Sequence, residues 1–152
     1  MQQRFNAFKA APDGYAALAA VEAYIKSCGL DHVLLELVKT RVSQINGCAF
    51  CLHMHTQDAQ KLGVTPQRLY LLNAWRESNL YSQKERAALA WAESLTLIAD
   101  TGAPDEDYEE ARTQFSEKEL ADLSIAVAMI NAWNRIAIGS RSVHPADKPE
   151  RA

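Results

Sequence analysis

The sequence has few cysteines, no block of like charge and no long apolar run, and each shortage excludes a class of protein. Its 152 residues include three cysteines, an odd number that does not suit the paired disulfides of a small secreted protein. The net charge is -3 and no run of five or more like charges occurs, which argues against nucleic-acid binding. No apolar stretch reaches the ~18 residues of a membrane span, because charged side chains interrupt the longest candidates at Glu22, Glu36, Glu93 and Arg135.

The first residues of the sequence do not indicate export. Residues 1–14 contain no apolar stretch of about 7 to 15 residues, which a secretory signal requires. We therefore expect a soluble protein of the reducing cytoplasm. In that compartment, two cysteines spaced C-x-x-C serve more often in catalysis or metal binding than in a structural disulfide.

The abundant residues predict helices. Alanine, leucine and glutamate are plentiful, and no stretch alternates between apolar and polar residues with a period of two. A hydrophobic content of 48% is enough for one core. We predict an all-α bundle of about six to seven helices, with a helical domain at residues 1–139 and a C-terminal tail at residues 140–152.

Capping residues place the ends of these helices. Ser82 with Glu85 and Ser116 with Glu119 have the spacing of a capping box, in which a serine and a glutamate satisfy the free N–H groups of a helix start. The first predicted helix covers residues 14–27, the second is capped by Asp31 and ended by Asn46-Gly47, and the third begins at or near Cys48 and ends at Gly63. The fourth is opened by Thr65 and Pro66 and runs to about Glu77, and the fifth follows Ser82. A short acidic helix is opened by Pro104, and the last helix runs from Ser116 to Ile138.

Two thiols and an imidazole fall on one face of the third helix. Residues 47–55 read G-C-A-F-C-L-H-M-H, so Cys48, Cys51 and His55 occupy positions i, i+3 and i+7, whereas His53 points elsewhere. At 100° per residue the three side chains lie within an arc of about 60°. The first turn of a helix has free N–H groups and a partial positive charge, which favour a thiolate. The pattern predicts a reactive sulfur beside a partner with which it can form a disulfide.

Other cysteine chemistries fit this sequence less well. A C-x-x-C pair followed by histidine can bind zinc, but a tetrahedral structural site needs four ligands and the chain has no second cysteine pair. A thioredoxin-like motif follows a strand, and no strand is predicted before Cys48. Cys28 has no partner nearby and is interpreted as a core residue. The tryptophans Trp75, Trp91 and Trp133 are interpreted as packing anchors.

The motif resembles that of a known family. Glu36, Cys48, Cys51 and His55 have the spacing E-x11-C-x-x-C-x-x-x-H. With the segments at residues 85–93 and 130–137, this spacing resembles the carboxymuconolactone decarboxylase-like family, specifically the AhpD-type core domain of alkylhydroperoxidases. The resemblance covers nearly the whole chain apart from the tail. It implies an all-α subunit that assembles into homo-oligomers, commonly trimers or hexamers.

The resemblance also implies an activity and a set of roles. Cys51 would be the thiolate that attacks the peroxide, Cys48 the resolving thiol, and His55 with Glu36 a proton relay. The protein would be a two-cysteine alkyl hydroperoxide reductase that acts on organic hydroperoxides or hydrogen peroxide without a bound cofactor. Its electrons would come from an external dithiol reductant, for which the family suggests a lipoyl-bearing protein. The decarboxylase branch generally lacks the cysteine pair, so lactone decarboxylation is not expected.

Two features separate this chain from a simple match. The peroxidase form of the motif has a histidine immediately before the second cysteine, where this chain has Phe50, so one relay member is absent. On a helical wheel Glu36 falls with Thr40 and Ser43 on the polar side of its helix, where a solvated glutamate is the ordinary interpretation. Only the family motif identifies Glu36 as a site residue.

The sequence leaves several alternatives open. The same cluster of Cys48, Cys51 and His55 would serve a metal-binding or redox-sensing oligomer. The replacement at Phe50 would also suit a thiol oxidoreductase that is not a peroxidase. Asn131 and Asn134 would fit either the lining of the active-site cleft or a subunit interface.

Overall fold

The computed structural model describes residues 2–144, and over these residues it consists of helices and connecting loops without a strand. The elements are α1 Ala7–Ala10, α2 Pro12–Ser27, α3 His32–Asn46, α4 Ala49–Lys61, α5 Pro66–Tyr70, a 3₁₀ helix Leu72–Glu77, α6 Gln83–Thr96, α7 Ile98–Thr101, α8 Asp105–Gln114 and α9 Glu117–Ser140. The all-α prediction is confirmed. The two four-residue helices α1 and α7 were not predicted. Residues 145–152, most of the predicted tail, lie outside the described residues.

The predicted caps are present at the helices that matter most for the site. Asp31 accepts the backbone N–H of Leu34 at 2.8 Å and so starts α3. Gly47 ends α3 with a φ of 69°, in the left-handed region that a residue without a Cβ adopts most readily. Both predicted capping boxes form, at the starts of α6 and α9.

The helix predicted to run from Pro66 to about Glu77 is instead two short pieces. Helix α5 ends at Tyr70, and Leu72–Glu77 is a 3₁₀ helix in which Ala74 departs from helical geometry. A 3₁₀ helix has three residues per turn, so Leu72 and Trp75 lie on the same side and both are buried. Burial of both side chains against the core accounts for the tighter winding.

Helix α9 continues through Gly139 to Ser140 rather than ending at Ile138. The N-terminal segment satisfies the carbonyl groups at this end of the helix. The Arg4 backbone N–H donates to the Ser140 carbonyl at 3.0 Å, and the Arg4 guanidinium donates to the Gly139 carbonyl at 3.2 Å. Since these carbonyls have partners, the helix gains two further residues before Arg141 ends it in a left-handed conformation.

Helix α3 lies at the centre of the bundle and packs against α4, α6 and α9. Its buried residues include the expected apolar ones and also Thr40 and Ser43, which share the polar side of the helical wheel with Glu36. Helices α4 and α9 cover that side of α3, which is why a polar stripe is enclosed. Within residues 2–144, no helix combines the length and apolar character needed to cross a membrane.

The core has two clusters of buried apolar side chains. The larger one joins α3, α6 and α9 and includes Cys48 and Cys51. Cys28 is partly buried and packs against this cluster, as its interpretation as a core residue requires. Trp75 and Trp91 are buried packing residues, whereas Trp133 is only partly buried.

Candidate active site

The turn between α3 and α4 sets the positions of both motif cysteines. After the left-handed Gly47 the chain turns, and Cys48 adopts the extended conformation of an N-cap before α4 begins. Its Sγ accepts the backbone N–H of Cys51 at 3.4 Å. The two cysteines are 1% and 2% exposed and are not joined by a disulfide. The structure therefore holds the pair as two thiols at the electropositive end of a 13-residue helix.

Cys51 faces a cavity of about 380 Å³. The cavity lies between α2, α3, α4 and α9, and Cys48 is not among the residues that line it. Its walls are mixed, with aromatic and apolar side chains on one part and ionisable groups on another. The lining residues that concern the chemistry are Glu36, Lys39, Phe50, Cys51, His55 and Trp133. Only the second cysteine of the motif is thus open to a ligand.

His55 lies one helical turn after Cys51 and lines the same cavity. Its Nδ1 lies 2.7 Å from the Glu36 Oε2 atom. A carboxylate at this distance accepts the Nδ1–H, so the lone pair of the neutral imidazole is on Nε2. Burial raises the pKa of Glu36, but the hydrogen bond and charge of His55, with the charge of Lys39, outweigh burial and hold it below its usual range. The pair can accept and return a proton.

The two sulfurs share a hydrogen bond that separates their acidities. The Cys51 thiol donates to the Cys48 sulfur, and this bond lowers the pKa of Cys48 to about 7 against the opposing effect of burial. The backbone N–H groups of Cys51 and Phe50 lower it further. The same bond and burial raise the pKa of Cys51. The first proton therefore leaves Cys48, and the resulting thiolate is next to the thiol that faces the cavity.

Asn134 stabilises negative charge on both sulfurs. Its side chain is fully buried on α9, and its amide hydrogen-bonds to each sulfur, which lowers the pKa of both thiols. Its Oδ1 accepts from Asn46 at 2.8 Å and its Nδ2 donates to Ser43 at 3.1 Å, so the network fixes which end of the amide faces the cysteines. Asn131 also accepts from Asn46, at 2.9 Å. Both asparagines therefore have partners within this chain.

The residues near the missing relay position have other contacts. Phe50 lines the cavity beside Cys51. His53 is not a cavity residue, and its ring packs against that of His144 with 5.4 Å between centroids. Helix α4 is regular over these positions. His53 therefore does not take the place of a histidine at position 50.

The structure brings Glu36, Cys51 and His55 together at one cavity and places Cys48 directly behind Cys51. Among the described residues, one group of side chains has ligand atoms close enough to share a metal ion, within 4.8 Å of one another, and it comprises Glu36, His55 and Asp58. No such group within residues 2–144 includes a cysteine, so the geometry does not favour the predicted alternative of a Cys/Cys/His metal site.

Sequence reasoning missed Lys39 and did not assign Asn134. Lys39 follows Glu36 by three residues, a spacing that brings two side chains together on a helix, and this was an available signal. The contact of Asn134 with the cysteines joins α9 to α4 across 83 or more residues of sequence. A single sequence holds no signal for such a contact.

Comparison with known families identifies a match over most of the first two thirds of the chain. Residues 11–94, which include the whole cysteine motif, match the model of the carboxymuconolactone decarboxylase family. The uncharacterized protein YdfG of Bacillus subtilis is 45% identical over 138 residues, which cover 91% of this chain and 94% of that protein.

Two solved structures illustrate the likeness in fold. A protein of unknown function from Agrobacterium tumefaciens, proposed to be the antioxidant defence protein AhpD, is 45% identical and superposes with a TM-score of 0.92, covering 95% of this chain and 99% of that one. The debrominase Bmp8 is 20% identical with a TM-score of 0.78, covering 91% of this chain and 75% of its own. The second likeness concerns the fold alone.

Proposed function

The chain belongs to the carboxymuconolactone decarboxylase family and has an AhpD-type domain, and from this premise we propose that it is a two-cysteine peroxidase that reduces organic hydroperoxides. The observation that carries the proposal is the position of Cys51. Its sulfur shares a cavity with His55 and Glu36, while its other neighbour is the Cys48 sulfur, to which it donates a hydrogen bond. A nucleophile, a proton relay and a disulfide partner are thus within one turn of helix or one hydrogen bond of each other.

The reaction begins with a proton transfer between the sulfurs. Once Cys48 is ionised, movement of the shared proton from Cys51 to Cys48 gives a thiolate at the cavity. This thiolate attacks one oxygen of the hydroperoxide and breaks the O–O bond, which leaves a sulfenic acid on Cys51 and an alkoxide. The alkoxide takes the proton that His55 received when the cysteine pair ionised, and Glu36 stabilises the imidazolium form through the 2.7 Å contact with Nδ1.

The second half-reaction closes the disulfide. The Cys48 sulfur attacks the sulfur of the Cys51 sulfenic acid, the S–O bond breaks, and the hydroxyl leaves as water with the proton that Cys48 had received from Cys51. The protein has then given two electrons and two protons to the hydroperoxide, forming an alcohol, water and one disulfide. An external dithiol restores both thiols by exchange. The proposed reductant is a lipoyl-bearing protein of the reducing cytoplasm. The proposed assembly of the chain is a homo-oligomer.

Hydroperoxide consumption by purified protein tests this function. Reduced protein without a donor should consume about one equivalent of cumene hydroperoxide per chain and stop as a Cys48–Cys51 disulfide, because the cycle is two-electron. With dihydrolipoamide or dithiothreitol present, consumption should continue. Cys28→Ser is the matched control, since this thiol does not line the cavity, and it should leave both results unchanged.

Two results would favour the other uses of the same residues. Stoichiometric zinc in protein purified under reducing conditions, with no hydroperoxide consumption, would replace the peroxidase by a metal-binding oligomer. Formation of the disulfide with a disulfide substrate but not with any hydroperoxide would point to a thiol oxidoreductase, in which Phe50 occupies the place of the relay histidine. Either result would overturn the peroxidase proposal.

A further inference from the structure

A buried lysine joins the catalytic carboxylate to a second one. Lys39 is 3% exposed, and its Nζ lies 3.5 Å from Glu36 Oε1 and 3.5 Å from Glu22 Oε2. Glu22 is itself held by the indole of Trp133, which donates to its Oε1 at 3.0 Å. An ammonium group taken out of water is costly unless charged partners compensate for it. The two carboxylates supply that compensation.

The charges of this cluster do not cancel. Glu22, Lys39 and Glu36 together carry one net negative charge, and the nearest group able to add a positive charge is His55, 2.7 Å from Glu36. The other ionisable groups that line the two cavities around Glu36 and Lys39 are Tyr15 and Lys26 from α2, His32 from α3, and Cys51, Asp58 and Lys61 from α4, while α9 contributes the neutral Trp133. Lys39 is the buried cation among them, in direct contact with the relay carboxylate.

We propose that Lys39 is a positioning residue of the reaction: its ammonium, held between Glu22 and Glu36, keeps the Glu36 carboxylate ionised and directed at His55. The assignment rests on the proposed function, because it gives Lys39 a role only through the relay that serves Cys51. Glu22 acts in the opposite sense, because its negative charge lies 3.5 Å from the same ammonium and offsets part of the effect of Lys39 on Glu36. Trp133, Glu22, Lys39, Glu36 and His55 therefore form one chain of contacts, which ends at the cavity that Cys51 lines.

The test is the pH at which Cys51 becomes reactive toward a neutral alkylating reagent, measured by mass spectrometry of the modified peptide. Removing a positive charge favours the protonated form of every nearby acid, so Lys39→Met should move this midpoint upward by roughly one pH unit. Glu22→Gln keeps the acceptor for Trp133 but removes a negative charge, and should move the midpoint downward. The double variant restores the net charge of the wild type and should return close to the wild-type midpoint.

A lysine that serves only to stabilise the fold would not give these opposite signs. Lys61→Met is the matched control, because it removes the same charge from an exposed side chain near the same site, and it should shift the midpoint far less. If Lys39→Met does not fold, the Glu22→Gln shift and the double variant carry the test. Unchanged midpoints in Glu22→Gln, or shifts of the same sign in both single variants, would overturn the proposal. Alkylation does not require turnover, so these results stand apart from a failure of the peroxidase activity.

Discussion

The Cys48 sulfur caps the helix that carries Cys51, accepting the Cys51 backbone N–H at 3.4 Å. An N-cap is usually a serine, threonine, aspartate or asparagine, whose side-chain oxygen satisfies a free N–H group. Sulfur is a weak hydrogen-bond acceptor as a thiol and a stronger one as a thiolate, so the N-cap hydrogen bond stabilises the ionised form of Cys48. The cap thereby links the start of α4 to the charge state of the cysteine pair.

The cysteine pair should lose its first proton near neutral pH. In a Cys28→Ser background, which leaves the pair as the sole source of thiolate, ultraviolet absorbance should rise with a midpoint of about pH 7 and an amplitude of one thiolate per chain. The second sulfur should stay protonated beyond the ordinary range of a cysteine. Below pH 7 both protons are retained, so the rate of reaction with a hydroperoxide should fall as the pH decreases through this value.

Replacing Cys51 by alanine checks the cause of that midpoint. The Cys51 S–H is the largest contributor to the acidity of Cys48, so Cys51→Ala should move the remaining step upward toward the ordinary pKa of a thiol. A midpoint that stays near pH 7 in Cys51→Ala would show that the helix start and Asn134 suffice without the neighbouring sulfur.

The two cysteines should behave differently when each is replaced by serine. Cys51→Ser should abolish hydroperoxide consumption, because Cys51 is the sulfur that lines the cavity. Cys48→Ser should permit one turnover and accumulate a sulfenic acid on Cys51, detectable with dimedone, since no resolving sulfur is present. If the Cys51→Ser variant still consumed hydroperoxide and dimedone labelled its Cys48, then Cys48 would be the attacking sulfur and Cys51 the resolving one.

Sequence patterns over a few neighbouring residues predicted the caps and ends of several helices correctly. The caps at Asp31, Ser82 and Ser116 and the left-handed Gly47 depend on residues within four positions of each other, and all are present. Helical spacing also predicted that Cys51 and His55 face the same way. These features follow from backbone geometry, which a sequence specifies directly.

The parts that sequence missed depend on packing between distant elements. On a helical wheel Glu36, Thr40 and Ser43 share the polar side of α3, but α4 and α9 both pack against this helix, and Thr40 and Ser43 are buried. Ser43 bonds to Lys39 and Asn134, whereas the Thr40 hydroxyl has no hydrogen-bond partner among the described residues. Lys39 is also buried, in contact with Glu22 of α2, 17 residues away. Which polar residues are enclosed depends on tertiary contacts, and hydrophobic periodicity reports only the apolar ones.

Asn134 should tune the acidity of the pair through its amide N–H. Asn134→Asp keeps an acceptor for Asn46 but replaces the donor that faces Ser43 and the sulfurs by an oxygen. The pKa of Cys48 should then rise by about one unit or more, measured by thiolate absorbance. The free energy of unfolding should fall by roughly 1–3 kcal/mol, the cost of a buried group that loses its partner.

Asn131→Asp is the matched control for that substitution. Asn131 lies three residues earlier on α9 and accepts from the same Asn46, but it donates to Thr96 and the Val127 carbonyl rather than to the cysteines. The control should lose stability without a comparable change in the thiolate midpoint. Equal shifts in both variants would indicate a general effect of added negative charge and would remove the specific role of Asn134.

Phe50→His should increase peroxidase activity by restoring the residue type that the peroxidase form of the motif has before its second cysteine. The side chain at position 50 lines the cavity beside Cys51, so an imidazole there would lie close enough to exchange protons with a bound hydroperoxide. General acid–base groups contribute about 10²–10⁴-fold when well placed. We expect a gain of about tenfold in kcat, because His55 and Glu36 already supply one relay.

Phe50→Leu, which changes the shape of the wall without adding a proton carrier, should give no gain. A kcat in Phe50→His no higher than that of Phe50→Leu would mean that proton transfer does not limit the reaction and that the aromatic ring serves the substrate instead.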